Sequence, residues 1–408
     1  MSKFRKLVKA RFIMYLSISL GNILSKWRLL FWVLIPFQVN AQLSQFSKLA
    51  TLASLGSDDG NTLAYYYTKP LAYGLGNGLN SGWMFSSATQ GNRFPKTKFS
   101  LSVSIRTTMI TVPASDRGFD LSSIPLISHT FEQSSVAVAP TYSGYEDSYS
   151  YLNSKAELNG KPLYKFRMPG GTEKAPISLS YIQLGLGLFF DTDITVRYQP
   201  KQVSLNAINA VVPLDEFKSI EIMGASVRHG LNQWLPFGYK LPFEITIQAA
   251  ATQFKSTTPV EVYFGDIGKT VGNISNQSTI SAEYLAYQKI NTKVTALTAN
   301  AIIGKRFAYK FVGINFYVGG GIEQSNFELE TKGNYPVISY EYNINTKTYQ
   351  SVTSAITDPI NLNYKTDKTL RYFGGARFNL GVLDFFVEYT KTNYSGLNFG
   401  AAVSFAAY

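Results

Sequence analysis

The sequence predicts an all-β fold: a transmembrane antiparallel β-barrel of about 14 strands, within a range of about 10–16, preceded by an N-terminal plug. Three observations carry this expectation. Runs of residues alternate apolar and polar with period two, which gives each strand one apolar and one polar face. Long and short connections alternate between the runs, like the outer loops and periplasmic turns of membrane barrels. An export signal precedes the runs, and nothing after it offers the ~20 apolar residues that a spanning helix needs. Such a chain crosses a bilayer only as a closed barrel, because the bilayer core holds no water to satisfy open strand edges.

Composition narrows the function classes. The 408 residues include 28 Phe and 27 Tyr but only 16% charged residues, which suits aromatic girdles at membrane–water interfaces. The absence of cysteine excludes a disulfide framework, a thiolate zinc site, a Cys nucleophile and a lipid-anchored N-terminal Cys. The formal net charge of +12 is concentrated at the N-terminus, where Lys3, Arg5, Lys6, Lys9, Arg11, Lys26 and Arg28 stand without an acid. Without these seven, 31 basic residues face 26 acidic ones, so a nucleic-acid partner is not expected.

Residues 1–41 read as a signal peptide. A basic region leads into the apolar run LLFWVLIPF (29–37), and Val39-Asn40-Ala41 supplies small residues for cleavage after Ala41. The basic region is long enough that Met14 competes with Met1 as the start. Residues 42–95 read as a plug of short helices and turns. Leu49, Leu52 and Leu55 have helical spacing, and Ser57-Asp58-Asp59-Gly60 reads as the helix stop. The Gly- and aromatic-rich run 64–87 lacks the spacing of a dinucleotide loop, and Asp58 and Asp59 lack the spaced ligands of a calcium loop.

Residues 96–408 read as the barrel. Alternating runs cover 98–112, 176–190, 194–200, 217–231, 243–254, 290–303 and 311–329, and three more close the chain between 371 and 405. In those last three, Tyr372, Phe378, Phe385, Val387, Leu397 and Phe405 oppose Arg371, Arg377, Asp384, Glu388 and Asn398, with Phe386 breaking the pattern. Short connections fall at 191–193, 232–242, 304–310 and 381–382. Further β-like runs inside the long loops, Ser135 to Ala139 and Val337 to Ile344, raise the expected strand number above the ten clear runs. Gly185, Gly187, Gly319, Gly320 and Gly321 inside strands predict bends or bulges.

Two segments carry a family resemblance. YTKPLAYGLGNGLNSGWMFSSA (67–88) and IEIMGASVRHGLNQWLPFGYKLPFEITIQAA (220–250), with the Arg-Tyr-Gln-Pro strand end at 197–200, resemble a family of uncharacterised outer-membrane barrels from Bacteroidota. That family is distantly similar to the long-chain fatty-acid transporters of the outer membrane, 14-stranded barrels with an N-terminal hatch. The resemblance implies an outer-membrane location, a plugged barrel and a hydrophobic ligand. The hatch's Asn-Pro-Ala motif is absent here, so no ligand residues carry over.

Candidate chemistry is sparse. His129 and His229 have no Ser, Asp or metal-ligand partner by spacing, so no catalytic residue, metal site or cofactor is expected and the chain is not read as an enzyme. Arg106, Arg197, Arg228, Arg371 and Arg377 fall on polar strand faces that look into the lumen. They read either as partners of the acids Glu221, Asp384 and Glu388 or as a basic lining for an anionic head group. The ligand-binding candidates are Tyr66, Tyr67, Trp83 and Phe85 in the plug, beside Tyr65, and Arg106, Arg197 and Arg377 in the lumen. The expected function is to bind or pass small hydrophobic or amphipathic molecules, captured by the plug and released at a strand kink. The alternative is a non-transporting subunit of an outer-membrane secretion or assembly complex. The partners are then outer-membrane lipids, a hydrophobic small molecule, or other outer-membrane proteins.

Overall fold

The computed structural model describes residues 48–84, 99–158, 160–199, 219–262, 269–270, 276–277, 285, 287–309, 312–343 and 348–407. The signal peptide, its cleavage after Ala41, and Phe85 lie outside the described residues. Ten strands form the wall: β1 Phe99–Thr111, β2 Ile177–Leu188, β3 Thr192–Gln199, β4 Ser219–Gly230, β5 Glu244–Pro259, β6 Lys289–Tyr309, β7 Val312–Lys332, β8 Thr369–Leu380, β9 Leu383–Lys391 and β10 Ser395–Ala407. Each pairs antiparallel with its neighbours in the chain, and β1 closes on β10 from Phe99↔Ala407 to Thr111↔Ser395. The result is a closed up-and-down barrel without a free edge.

The period-two pattern fixes the faces. Outward residues such as Leu184, Val196, Val227, Val318, Phe385 and Leu397 are exposed around the whole circumference. Their inward neighbours, including Gln183, Arg197, Arg228 and Asn398, are buried. A continuous apolar belt of this extent is a membrane face rather than a soluble surface. No helix among the described residues is long and apolar enough to cross a membrane. Phe386 breaks its strand's pattern because it faces inward, where its ring lies under the Arg106 guanidinium at 3.9 Å.

The ten clear runs are the ten wall strands, so the barrel closes with ten rather than about 14. The extra runs pair among themselves. Val138–Pro140 pairs with Gly118–Asp120, and Asn334–Asn343 forms a hairpin with Thr348–Thr357. Asn361–Lys365 pairs with the loop end of β7, in line with β8, and so adds nothing to the circumference. The connection expected at 304–310 is shorter, since β6 runs to Tyr309 and β7 begins at Val312. The strand glycines make no bulge: registers advance evenly through Gly185, Gly187 and Gly319 to Gly321 on both sides.

The N-terminal segment departs most from expectation. Thr51–Leu55 is a 3-10 turn, and Ser57–Asn80 is a single 24-residue helix, α1. The expected helix stop is therefore the helix start. Gly56 (φ 88°) makes the turn, and Asp58 and Asp59 lie in the first turn, where carboxylates complement the helix dipole. The glycines of this run lie where the wall leaves no room for a side chain. A Cβ at Gly74 would collide with Ile177, one at Gly76 would lie 2.9 Å from Ser325 Cβ, and one at Gly78 would lie 2.9 Å from Leu179 Cδ1. Isolated helices tolerate such glycines poorly; here wall contacts outweigh the propensity. α1 is about 36 Å long. It starts beside the long loops, where Asn61 Nδ2 donates to the Pro359 carbonyl at 3.1 Å.

Candidate functional site

The densest polar constellation is where α1 ends among the lumen side chains. A helix leaves its last carbonyls unpaired and carries partial negative charge there. In this protein every backbone carbonyl from Leu79 to Met84 accepts from a wall side chain. Arg197 Nη1 (2.8 Å) and Thr252 Oγ1 (3.1 Å) donate to Leu79, and Arg371 Nη1 donates to Asn80. Arg197 Nη2 (2.8 Å) and the Tyr181 hydroxyl (3.4 Å) donate to Ser81. Arg106 Nη1 donates to Gly82 (2.6 Å), Gln248 Nε2 to Trp83 (3.2 Å) and Arg106 Nη2 to Met84 (3.3 Å). The donors come from β1, β2, β3, β5 and β8, so the segment is gripped from around the ring.

Aromatic faces and one carboxylate complete the grip. The Arg197 guanidinium lies between the Trp83 ring (3.9 Å) and the Tyr181 ring (3.8 Å). Glu388 accepts from the Gly82 amide (3.1 Å), Arg371 Nη2 (3.2 Å) and the Tyr317 hydroxyl (3.1 Å). Gly82 has φ 72°, and a Cβ there would strike the Asn398 amide, so the chain turns off the helix at a residue that must be glycine.

The sequence candidates separate accordingly. Arg106, Arg197 and Trp83 meet in this constellation. Arg377 does not: it pairs with Asp384, which also accepts from Asn379 and Ser404. Arg228 pairs with Asp193 at 2.6 Å. Tyr67 is buried, donating to the Gly170 carbonyl at 2.7 Å, while Tyr66 is half-exposed and stacked on Phe119. Of the expected acidic partners, Asp384 and Glu388 face inward, but Glu221 shares the outward parity of Met223 and stands opposite Lys255. Gln248, Thr252 and Tyr181 join the constellation, and the sequence signal they carry is a lumen-facing position in an alternating run.

A second buried cluster ties the start of α1 to the first long loop. Asp59 accepts from the amides of Ile127 (2.7 Å) and Ser128 (2.9 Å), and its Oδ2 lies 2.7 Å from His129 Nδ1. His129 Nε2 lies 2.6 Å from the Tyr164 hydroxyl. Burial holds the His129 pKa below its ordinary value, against the opposing pull of Asp59. The network leaves both groups enclosed and partnered, which is the chemistry of a structural junction. No spacing rule pairs residues 70 positions apart, so this cluster had no sequence signal.

Among solved structures, the outer membrane protease OmpT from Escherichia coli aligns over 78% of this chain and 99% of its own, at 10% identity and TM-score 0.28. The translocator domain of the autotransporter NalP from Neisseria meningitidis aligns over 84% and 99%, at 10% identity and TM-score 0.27. The outer membrane transporter YddB from Escherichia coli aligns over 75% and 40%, at 12% identity and TM-score 0.26. No curated protein matches the sequence. Residues 22–405 match the model of a family of unknown function, DUF6588, and the chain belongs to that family.

Proposed function

We propose that this protein is an outer-membrane barrel closed by its own N-terminal segment, an anchor that presents a folded loop face rather than an open pore. One observation carries the reading: six consecutive carbonyls, Leu79 to Met84, are each held by lumen side chains from around the ring. Three of the holders are buried arginines, whose charge is stabilised there by the carbonyls of the segment. Removing the segment would leave those charges without these partners, so the closed state is strongly favoured. The long loops on the side where α1 begins form small sheets of their own, which suits contact with other outer-membrane proteins.

The test is planar-bilayer conductance of the purified chain. Wild type is expected to be silent, and the Arg106→Ala/Arg197→Ala/Arg371→Ala triple variant to open ion-conducting events. An ohmic, permanently open wild-type channel would refute closure.

A second reading, binding of a small hydrophobic or amphipathic molecule, is favoured by a different observation. The outer wall over β4 to β7 carries an apolar concavity of about 520 Å³ at bilayer level, within the size range of ligand pockets. Mass spectrometry of small molecules retained by the native protein tests it. A lipid-like species at one per chain supports it, and preparations consistently free of any such species refute it.

A further inference from the structure

The wall of a barrel is convex, so a concavity in it needs a cause. Here four alanines meet on the outward face: Ala225 pairs with Ala251, and Ala249 pairs with Ala299. Larger outward side chains, Leu297 and Ile322, frame them. Lys368, just before β8, lines the same hollow. Four residues loopward on β5, β6 and β7, a second and polar recess of about 480 Å³ is lined by Lys255, Lys293 and Glu328. The two recesses lie about 13 Å apart along the strands, given the rise per residue.

The order of chemistry along the wall is that of one lipid molecule. The apolar hollow lies in the belt, and a recess with three lysines and two glutamates lies toward the loops. Lys293 is paired with Glu328 at 3.0 Å, whereas Lys255 and Lys368 make no ion pair among the described residues. Lys255 stands directly opposite Lys293 on one side and Glu221 on the other, so the recess holds two ammonium groups side by side. A second copy of the chain fits the hollow poorly, because two convex walls touch along a line and leave a concavity unfilled. A flexible acyl chain fills it.

We propose that this face takes a phosphate-bearing acyl lipid, with one chain in the alanine hollow and the phosphate beside Lys255 and Lys293 in the loopward recess. The proposal rests on the amphipathic-ligand reading above and is independent of whether the lumen is closed. Ammonium groups beside the bilayer attract anionic head groups, and the hollow supplies the contact area that a generic annular lipid lacks.

The experiment uses the full chain, delipidated in mild detergent, mixed with phosphatidylglycerol vesicles and examined by native mass spectrometry. Diacylglycerol, which has the chains without the phosphate, is the control ligand. Wild type is expected to hold one phosphatidylglycerol per chain and no diacylglycerol. Ala249→Phe/Ala251→Phe, which fills the hollow, and Lys255→Glu/Lys293→Glu, which reverses two charges of the recess, should each lower the bound fraction at least about tenfold. Ala401→Phe, on the outward face of β10, should leave it unchanged. Equal binding by wild type and both double variants would overturn the site, as would loss of lipid in Ala401→Phe. A wild-type dimer that the phenylalanines convert to a monomer would assign the face to a protein instead. If some other amphipathic molecule stays bound in the double variants, this site falls while ligand binding stands. If wild type holds nothing, both fall.

Discussion

Arg197 offers the sharpest perturbation of the lumen grip. Arg197→Met keeps length and apolar contact but removes the guanidinium. It deletes two hydrogen bonds of 2.8 Å to the carbonyls of Leu79 and Ser81 and the stacking between Trp83 and Tyr181. A hydrogen bond from a charged group contributes about 1.5–3 kcal/mol net, and a desolvated cation–π contact about 2 kcal/mol. Thr252 and Tyr181 still donate to the two carbonyls, and the variant no longer buries a charge, so the lower end of the range applies. A loss of about 3 kcal/mol in the docking of α1 follows, which is a roughly 100-fold rise in its open population. Hydrogen exchange of the amides of residues 74–84 reads this population directly, provided that closing outpaces exchange. A rise of less than about threefold, with the barrel strands equally protected in both proteins, would refute the assignment of Arg197 as a principal latch.

Two further perturbations follow from the packing and the loop junction. Gly74→Val should obstruct docking of α1 against Ile177 at a cost of about 1–3 kcal/mol, and Ile177→Ala in the same chain should restore it; exchange of the helix amides distinguishes the two outcomes. At the junction, burial lowers the folded-state pKa of His129, so folding favours the neutral ring. The stability this contributes is present above the unfolded pKa of about 6.5 and is lost as the pH falls through the folded value. Acidification from about pH 7.5 to 5 should therefore speed proteolysis in residues 124–131, and His129→Gln should flatten that dependence.

The wall was legible because a strand repeats every two residues, and the lumen imposes that repeat on ten separate runs. Tyr372, Phe378 and Val387 face the membrane, and Arg371, Arg377 and Glu388 the lumen, as their alternation requires. Strand number was harder, since the β-like run within Asn334–Asn343 reads as extended, as a wall strand does, but pairs with its own hairpin partner. Local pattern says that a segment is extended, not which neighbour it joins. α1 was illegible for a related reason. Gly74, Gly76, Gly78 and Pro70 each argue against a helix, and only the wall residues Ile177, Ser325 and Leu179, far away in sequence, make the small side chains necessary. Arg106, Arg197 and Arg371 were legible as lumen residues, but what gathers them is a run of main-chain carbonyls, which every sequence has and none advertises.

The most direct test of the closed lumen is a covalent tether between helix and wall. The chain has no cysteine, so introduced pairs are free of background. Gly76→Cys and Ser325→Cys place two β-carbons 2.9 Å apart as built, so helix and wall must part by about 0.9 Å to reach the roughly 3.8 Å that a disulfide spans. If α1 occupies the lumen as described, the pair should oxidise nearly completely in native membranes. The tether should also keep the triple arginine variant silent in a planar bilayer until a reductant is added. Two free thiols that both label in intact membranes would contradict the account.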